Sequence, residues 1–283
     1  MSHQSGIVWL ASYPKSGNTW TRHFLHSLLK VLHGEGGTQS INDIGRFSSG
    51  EAGRWRYTKF AGKEITAEDY DSIPTLRPKV QVALADEVDG VAFIKTHNAL
   101  LMDKGQPIIN PAATAGAVYI VRNPLDVVIS LSHHRGKSVD DTIDFMASEG
   151  MRTEISDKQV YEIWGSWSEH VHSWTRVQHP AIYVMRYEDM LSEPAKTFGG
   201  LARHLKMNPS PAELATALSM SSFENLQAEE KSSGFRERPE AATAGFFRAG
   251  KAEQWREVLT PAQVDGIVTG HRLQMEKFGY LPL

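Results

Sequence analysis

Gly6-Ile-Val-Trp-Leu-Ala-Ser-Tyr-Pro-Lys15-Ser-Gly-Asn-Thr-Trp20-Thr-Arg-His-Phe-Leu25 is the stretch from which the rest of the chain is read. Ile7 to Ala11 is an apolar run long enough for a buried strand. Pro14 and Gly17 break it. From Trp20 the apolar period changes: Trp20, Phe24, Leu28 and Leu32 recur at every fourth position, one face of a helix. The order is therefore strand, tight turn, helix. Lys15, Ser16, Gly17 and Thr19 fall in the turn, beside the open N–H groups of a helix start, where partial positive charge favours an anion. A turn with a capping Ser or Thr is the plainer reading of the loop taken alone. The lysine precedes the glycine, so the Gly-x-x-x-x-Gly-Lys-Ser/Thr pattern of a Walker A loop is absent.

The chain has 283 residues, 41% hydrophobic and 22% charged, enough to bury a substantial α/β core. A formal net charge of −3 argues against bulk nucleic-acid binding, though not against a local basic cleft. Without cysteine there is no disulfide framework, thiolate nucleophile or Cys-ligated zinc. Met1 to Gly6 lacks a basic n-region, and the apolar run after it is too short for a signal peptide or membrane span. The expectation is a soluble, cytoplasmic protein with no membrane span.

Further along, 34–56 is rich in Gly and Ser and reads as loop, followed by Trp55, Tyr57 and Phe60, which either pack or line a pocket. Thr66 to Tyr70 reads as a capped helix start, and Pro74 and Pro78 as the bounds of a connector. Val91 to Lys95 is a continuous apolar strand, as in a sheet covered on both faces, and ends in Lys95-Thr96-His97. A lone histidine is structural more often than catalytic, but the C-terminal end of a parallel strand faces the crevice where α/β enzymes bind ligands. Ala117 to Val121 is the third strand; Arg122 stands at its mouth and Pro124 in the first turn of the following helix. Ser130 lies about two turns into that helix. His133, His134 and Arg135 end it, favoured by the dipole rather than by a metal, with acceptor contact as a side possibility.

Residues 157–178 read as one long helix whose stripe of Tyr161, Trp164, Ser168 and Val171, beside Trp167 and Trp174, is core. A fourth strand spans Ala181 to Met185, and Glu188 and Asp189 after it are an acidic pair that could hold Mg²⁺. Pro194, Ser210-Pro211 and Thr260-Pro261 open helices, the last ending near Gly279. The stretch 227–243 is polar and reads as mobile. Strands alternating with helices predict an α/β fold: a parallel sheet flanked by helices on both faces.

Several of these stretches together resemble the PAPS-dependent sulfotransferases. Tyr13-Pro-Lys-Ser-Gly-Asn-Thr-Trp20 is similar to the family's 5′-phosphosulfate loop, Tyr-Pro-Lys-Ser-Gly-Thr-Thr-Trp, and departs from it at Asn18. Lys95-Thr96-His97 resembles the segment carrying the general base, and Arg122 with Ser130 the 3′-phosphate segment. Tyr187, in Tyr-Glu-Asp-Met, and Ser222 with Phe223 match segments near the adenine. Phe246-Phe247-Arg248-Ala249-Gly250 through Trp255 resembles the Arg-Lys-Gly-x-x-Gly-Asp-Trp lid, departing at Ala249, Glu253 and Gln254.

The resemblance implies one sulfotransferase domain over 1–283 with a P-loop-like architecture. It implies transfer of a sulfuryl group from PAPS to a hydroxyl or amine of a small-molecule acceptor, PAP as product and no metal. His97 would be the general base, with Lys15 and Lys95 stabilising the transition state. The donor would be bound by Lys15, Ser16, Gly17, Asn18, Thr19, Trp20, Arg122, Ser130, Tyr187, Ser222, Phe223, Phe247, Arg248 and Gly250. The family's Lys-x-x-x-Thr-Val-x-x-x-Glu dimer element is replaced by Arg256, Thr260, Pro261 and Asp265, so no dimer mode carries over. Two rivals stand beside this reading: a phosphotransferase with Mg²⁺ on Glu188 or Asp189, and a nucleotide-binding module without catalysis.

Overall fold

In the computed structural model of the chain, residues 6–35 and 40–282 are described; the leader expectation for 1–5 and the loop expectation for 36–39 lie outside them. The strands are β1 (Gly6–Ser12), β2 (Val91–Thr96), β3 (Met102–Asp103), β4 (Gln106–Pro107), β5 (Thr114–Val121) and β6 (Ile182–Arg186). The helices begin with α1 (Asn18–Leu32), α2 (Ile44–Phe47), α3 (Arg54–Ala61), α4 (Ile73–Ala85), α5 (Pro124–Arg135), α6 (Val139–Ala147) and α7 (Trp167–Thr175). They continue with α8 (Tyr187–Ser192), α9 (Pro194–His204), α10 (Pro211–Met220), α11 (Phe223–Ser233), α12 (Trp255–Val258) and α13 (Pro261–Phe278).

The described residues form two compact units. The first comprises 6–13, 48–119 and 145–184, and the second 14–35, 40–47, 120–144 and 185–282. Most of the sheet belongs to the first unit, in the order β2-β1-β5-β6, with β1 parallel to β2 from Gly6 opposite Val91 to Ala11 opposite Thr96. β1 is buried along its whole length, as its uniform apolar run requires of a central strand. The antiparallel ribbon β3-β4 lies in the same unit. In the second unit α1 buries Phe24, Leu25 and Leu28, and Phe24 meets Phe198 of α9 with ring centroids 4.3 Å apart.

Several sequence expectations are corrected here. β2 is not buried on both faces: it is an edge strand, its burial alternates, and Val91 is 45% exposed. The expected connector at Pro74 and Pro78 is helix α4. Pro74 sits in its first turn, where no N–H is missed, and the buried stripe Leu76, Val80 and Leu84 outweighs the bond lost at Pro78. Thr66 caps no α-helix, because only a 3-10 turn, Asp69–Asp71, follows it. The Gly/Ser-rich stretch before Arg56 carries short helical turns at Ile41–Asp43 and α2, and α3 starts at Arg54. Tyr57 is core and Trp55 is 62% exposed.

The long helix expected over 157–178 shortens to α7, Trp167–Thr175. Gly165, at φ 63°, interrupts the backbone, and Ser166 with Glu169 forms a reciprocal capping box that starts the helix afresh. The residues before it form no helix and carry isolated bridges from Gly53 to Gln159 and from Arg152 to Ile163. Of the expected core stripe Tyr161 and Val171, with Trp167 and Trp174 beside them, are buried, whereas Trp164 and Ser168 are half-buried. The polar stretch 227–243, expected to be mobile, begins instead as the second half of α11.

Candidate active site

In the second unit, Lys15 at φ 68° and Gly17 at φ 106° bend the chain sharply into α1. A side chain at Gly17 would strain that backbone and bring its Cβ within 2.8 Å of the Tyr187 ring, so only glycine fits. α1 has no side-chain N-cap and no acidic residue in its first turn. By contrast α5, α7, α10, α11 and α13 each have a capping side chain. The α1 start thus keeps its N–H groups and positive end clear of an internal acceptor side chain. Ser16 Oγ is buried and has no hydrogen-bond partner among the described residues. A phosphate oxygen would satisfy that hydroxyl, so the loop fits a nucleotide phosphate.

Lys15 Nζ lies 3.8 Å from the centroid of the Phe246 ring and donates to His134 Nδ1 at 3.5 Å. Its cavity is lined by Ser130, His133 and His134 of α5 and by Arg238, Phe246 and Arg248. The lining holds no carboxylate. His133 Nδ1 faces Thr243 Oγ1 at 3.1 Å, and desolvation, then the Arg248 charge, hold His133 below its ordinary pKa. Burial, then the charge of Arg122, likewise lower the Arg248 pKa. Such a group of cations is costly until an anion joins it.

Arg122 has a different place from Ser130 and Arg248. It donates from Nη1 to the Lys15 carbonyl at 3.0 Å and from Nη2 to the Lys251 carbonyl at 3.2 Å, while its guanidinium lies 4.1 Å from the Tyr187 ring centroid. It therefore ties the front loop to the Gly250 segment. Gly250, at φ 59°, lets that segment pass the Phe223 ring, which a Cβ would meet at 2.6 Å. Phe223 in turn packs edge-on to Phe247, 6.3 Å between centroids, and Phe247 is buried with Ile41, Ile44, Leu226 and Phe235. Ser222 spends its hydroxyl as the α11 cap, accepting from Asn225 N at 3.3 Å. Trp20 packs edge-on to Tyr187 and Phe198, at 6.1 and 5.4 Å. Asn18 and Thr19 are buried in the first turn of α1.

Glu188 is committed elsewhere. Its carboxylate accepts from the Asn123 N–H at 3.0 Å and the Tyr280 hydroxyl at 2.7 Å, so it fastens the chain before α5 rather than offering two open oxygens. Asp189 pairs with Arg186. Among the described residues no cluster of three or more metal-ligating side chains occurs.

In the first unit, Lys95 shares a face of β2 with Phe93, opposite Thr96, and His97 follows the strand. His97 Nδ1 lies 2.8 Å from the Ser12 carbonyl oxygen. A carbonyl only accepts, so Nδ1 carries the proton and Nε2 is the basic nitrogen. The His97 backbone is held from both sides: its N–H donates to Glu162 Oε1 at 3.2 Å, and its C=O accepts from His170 Nε2 at 3.1 Å. His170 is wholly buried, which lowers its pKa to about 3, and its Nδ1 accepts from the Tyr119 hydroxyl at 2.9 Å. The residues flanking His97 converge on buried Glu51: Thr96 Oγ1 and Asn98 Nδ2 both donate to its Oε1, the latter at 2.8 Å. Gln81 Nε2 donates to Glu51 Oε2 at 2.7 Å, and burial raises the Glu51 pKa.

Of the residues expected from sequence, Lys15, Ser130 and Arg248 line one cavity, and Tyr187 packs against both Arg122 and Gly17, with Arg122 bonded to the Lys15 carbonyl. Glu51, His170 and Arg238 were not singled out. Glu51 and His170 stand in no motif read above, although Ser166-x-x-Glu169 marks the helix that carries His170. Arg238 lies in a stretch whose only sequence signal is polarity.

The model of the sulfotransferase domain matches residues 6–279. This chain belongs to the sulfotransferase family, and sulfuryl transfer from PAPS is general to that family. Flavonol 3-sulfotransferase of Flaveria bidentis is 24% identical over 96% of this chain and 81% of its own length. Sulfotransferase 2A1 of Macaca fascicularis is 24% identical, covering 97% and 85%. Among solved structures, retinol dehydratase in a complex with retinol and PAP superposes with a TM-score of 0.65 at 18% identity, over 95% of this chain and 81% of that one. A mouse sulfotransferase complexed with PAP gives 0.57 at 20% identity, over 95% and 84%. These likenesses establish the fold, a central parallel sheet flanked by helices with the P-loop-like architecture. The enzyme class is accordingly PAPS-dependent sulfotransferase.

Proposed function

We propose that this enzyme moves a sulfuryl group from PAPS to a hydroxyl or amine of a small-molecule acceptor, with His97 as general base. Residues 1–283 act as one sulfotransferase domain in the cytoplasm; no helix among the described residues is long and apolar enough to cross a membrane. The observation that carries the reading is the His97 Nδ1 contact with the Ser12 carbonyl at 2.8 Å, which leaves Nε2 as the proton acceptor. PAPS supplies the sulfuryl group and leaves as PAP. The front loop holds the donor's 5′ end through Lys15, Ser16, Gly17, Asn18, Thr19 and Trp20, by backbone N–H groups, two hydroxyls and one full charge. Ser130 and Arg248, with Arg122 and the Gly250 backbone beside them, bind the 3′-phosphate. Tyr187, Ser222, Phe223 and Phe247 flank the adenine.

His97 Nε2 takes the acceptor's proton as its oxygen or nitrogen attacks sulfur. Lys15 and Lys95 offset the negative charge that grows on the transferring group and the leaving phosphate oxygen. Because little of the work is covalent, most of the acceleration comes from positioning and fixed charge. The relative named for a flavonol supports a small-molecule acceptor here. The test is a mass-spectrometric screen of an acceptor library with PAPS, run on wild type and His97→Ala. Products gaining one sulfuryl group with wild type and nearly none with the variant are expected. Equal yields would remove His97 from the reaction.

A further inference from the structure

We propose that Arg238 is an additional donor-binding residue, a cation for the 3′-phosphate of PAPS and PAP, positioned by the ion pair that its neighbour Glu237 makes with Arg22. The inference rests on the donor reading above and adds to it a residue for which no role has been given. Arg238 lines the same cavity as Ser130, His133 and Arg248. Among the described residues its guanidinium makes no hydrogen bond or ion pair; only its backbone N–H is engaged, donating to the Phe235 carbonyl at 3.1 Å. Two arginines of this unit are by contrast committed within the protein, Arg22 to Glu237 and Arg122 to two carbonyls. An arginine at the wall of a cavity without carboxylates has its fork available for a planar or tetrahedral anion.

What places it there is the residue before it. Arg22 of α1 is buried, with 1% of its side chain exposed, and grips Glu237 with two parallel bonds, Nη1 to Oε2 at 2.9 Å and Nη2 to Oε1 at 2.8 Å. That fork fixes the chain at 237 against α1, so residue 238 is presented from a set backbone position. The rest of the strap is tied as well. The Thr243 N–H donates to the His133 carbonyl at 3.0 Å, and the Phe246 and Phe247 N–H groups donate to the Glu230 carboxylate at 2.7 and 2.9 Å. Phe235 and Phe247 are buried in one cluster. Arg238 is thus part of a fastened wall, and ordering it costs a bound ligand less than ordering a loose arginine would.

The 3′-phosphate is the group assigned because Ser130 and Arg248, the candidates for that phosphate, share the cavity with Arg238. The experiment titrates PAP and AMP, which lacks the 3′-phosphate, into wild type, Arg238→Ala, Arg238→Lys, Glu237→Gln and the Arg238→Ala/Glu237→Gln double variant by calorimetry. Arg238→Ala should weaken PAP about tenfold and AMP by about twofold or less, the loss of one charge-assisted contact at an exposed position. Arg238→Lys should recover part of the loss. Glu237→Gln should weaken PAP in the wild-type background and add nothing in the Arg238→Ala background, because it acts through the arginine. A urea denaturation of each variant reports whether Glu237→Gln still folds; Arg238→Ala, exposed and unbonded, decides the matter if it does not. Unchanged PAP affinity in Arg238→Ala overturns the proposal, as does an equal loss for PAP and AMP or an effect confined to the acceptor's KM. A wild type with no preference for PAP over AMP would instead overturn the donor reading on which the proposal stands.

Discussion

The two units handle buried polarity in opposite ways. Around His97 the first unit closes its charged groups with internal partners: Glu51 takes Thr96, Asn98 and Gln81, His170 bridges Tyr119 and the His97 carbonyl, and Arg77 pairs with Asp103. Ser12 Oγ is an exception, buried without a hydrogen-bond partner among the described residues. Around Lys15 the second unit gathers Lys15, Arg238 and Arg248 on a cavity whose lining holds no carboxylate, and Ser16 Oγ is buried with no hydrogen-bond partner among the described residues. A satisfied network fixes a side chain in one tautomer and position, which suits a base. Cations gathered on a cavity without a carboxylate favour an anion, which suits a donor site. The contrast sorts the variants: those in the first unit should cost turnover, and those in the second should cost nucleotide binding or both.

The sharpest test is His97→Ala, which should lower turnover about 10²–10⁴-fold, the range for a lost general base. PAP affinity should hold, because Ser12, Glu162 and His170, which hold His97, are not donor-binding residues. Single-turnover rates and a PAP titration measure the two together. A variant that loses PAP affinity as well would mean that the first unit's network is not self-contained.

Next comes Lys15. Removing its charge should cost turnover about 10²–10³-fold, more than it costs PAP affinity, because the charge matters most as the leaving oxygen becomes negative. At φ 68° lysine already bears a Cβ in the left-handed region, so Lys15→Ala keeps that backbone strain, and Lys15→Gly, which relieves it, should accompany it. Agreement between the two assigns the loss to the charge. Lys15→Arg should recover only in part, a guanidinium being no point charge on a flexible stem. If it restored full rate, charge alone would suffice at this position.

Smaller losses, about ten- to 150-fold in PAP affinity, are expected for Arg122→Ala and Arg248→Ala, each removing a charge-assisted contact. They should differ in kind. Arg248 belongs to the cavity, so its loss should erase preference for PAP over AMP. Arg122 fastens the Lys15 and Lys251 carbonyls, so its loss should weaken both nucleotides. Identical profiles by calorimetry would show that the two arginines are not the separate clamp and contact described above.

What the sequence made legible was local and chemical. The apolar run Ile7 to Ala11, the break at Pro14 and the fourfold spacing through Phe24 and Leu28 led to β1, the loop and α1 with little error, because each is set by neighbours in the chain. Pro124, Ser210-Pro211 and Thr260-Pro261 marked three helix starts for the same reason. Failures came where tertiary packing decides. The stripe of α4 carried the helix through Pro78, the edge position of β2 exposed a run that looked buried, and a capping box overrode the aromatic spacing before Trp167. Arg238 could not be read at all, since its role depends on an ion pair between residues 22 and 237.

The smallest effect separates position from chemistry within the first unit. His170 donates one hydrogen bond to the His97 carbonyl and touches no reacting atom, so it is a positioning residue. His170→Gln can keep the donor and the acceptor that faces Tyr119, and should lower turnover by only about two- to tenfold, the scale of one neutral hydrogen bond made imperfect. His170→Phe, which loses both bonds, should cost more, and neither should alter PAP affinity. Stability should respond with a definite sign. Burial lowers the His170 pKa from 6.5 to about 3, so the unfolded chain takes up a proton that the folded chain refuses in that interval. Stability must then fall as pH drops from about 6.5 towards about 3. Removing the imidazole removes that proton uptake, and the Tm of His170→Gln should decline less steeply over the same interval. The slope will not vanish, because His23 and His271 of the second unit, lowered to about 3 and about 4, still contribute. An unchanged acid slope would mean that His170 is protonated in the folded state, and a charged His170 could not accept the Tyr119 hydroxyl while holding the His97 carbonyl.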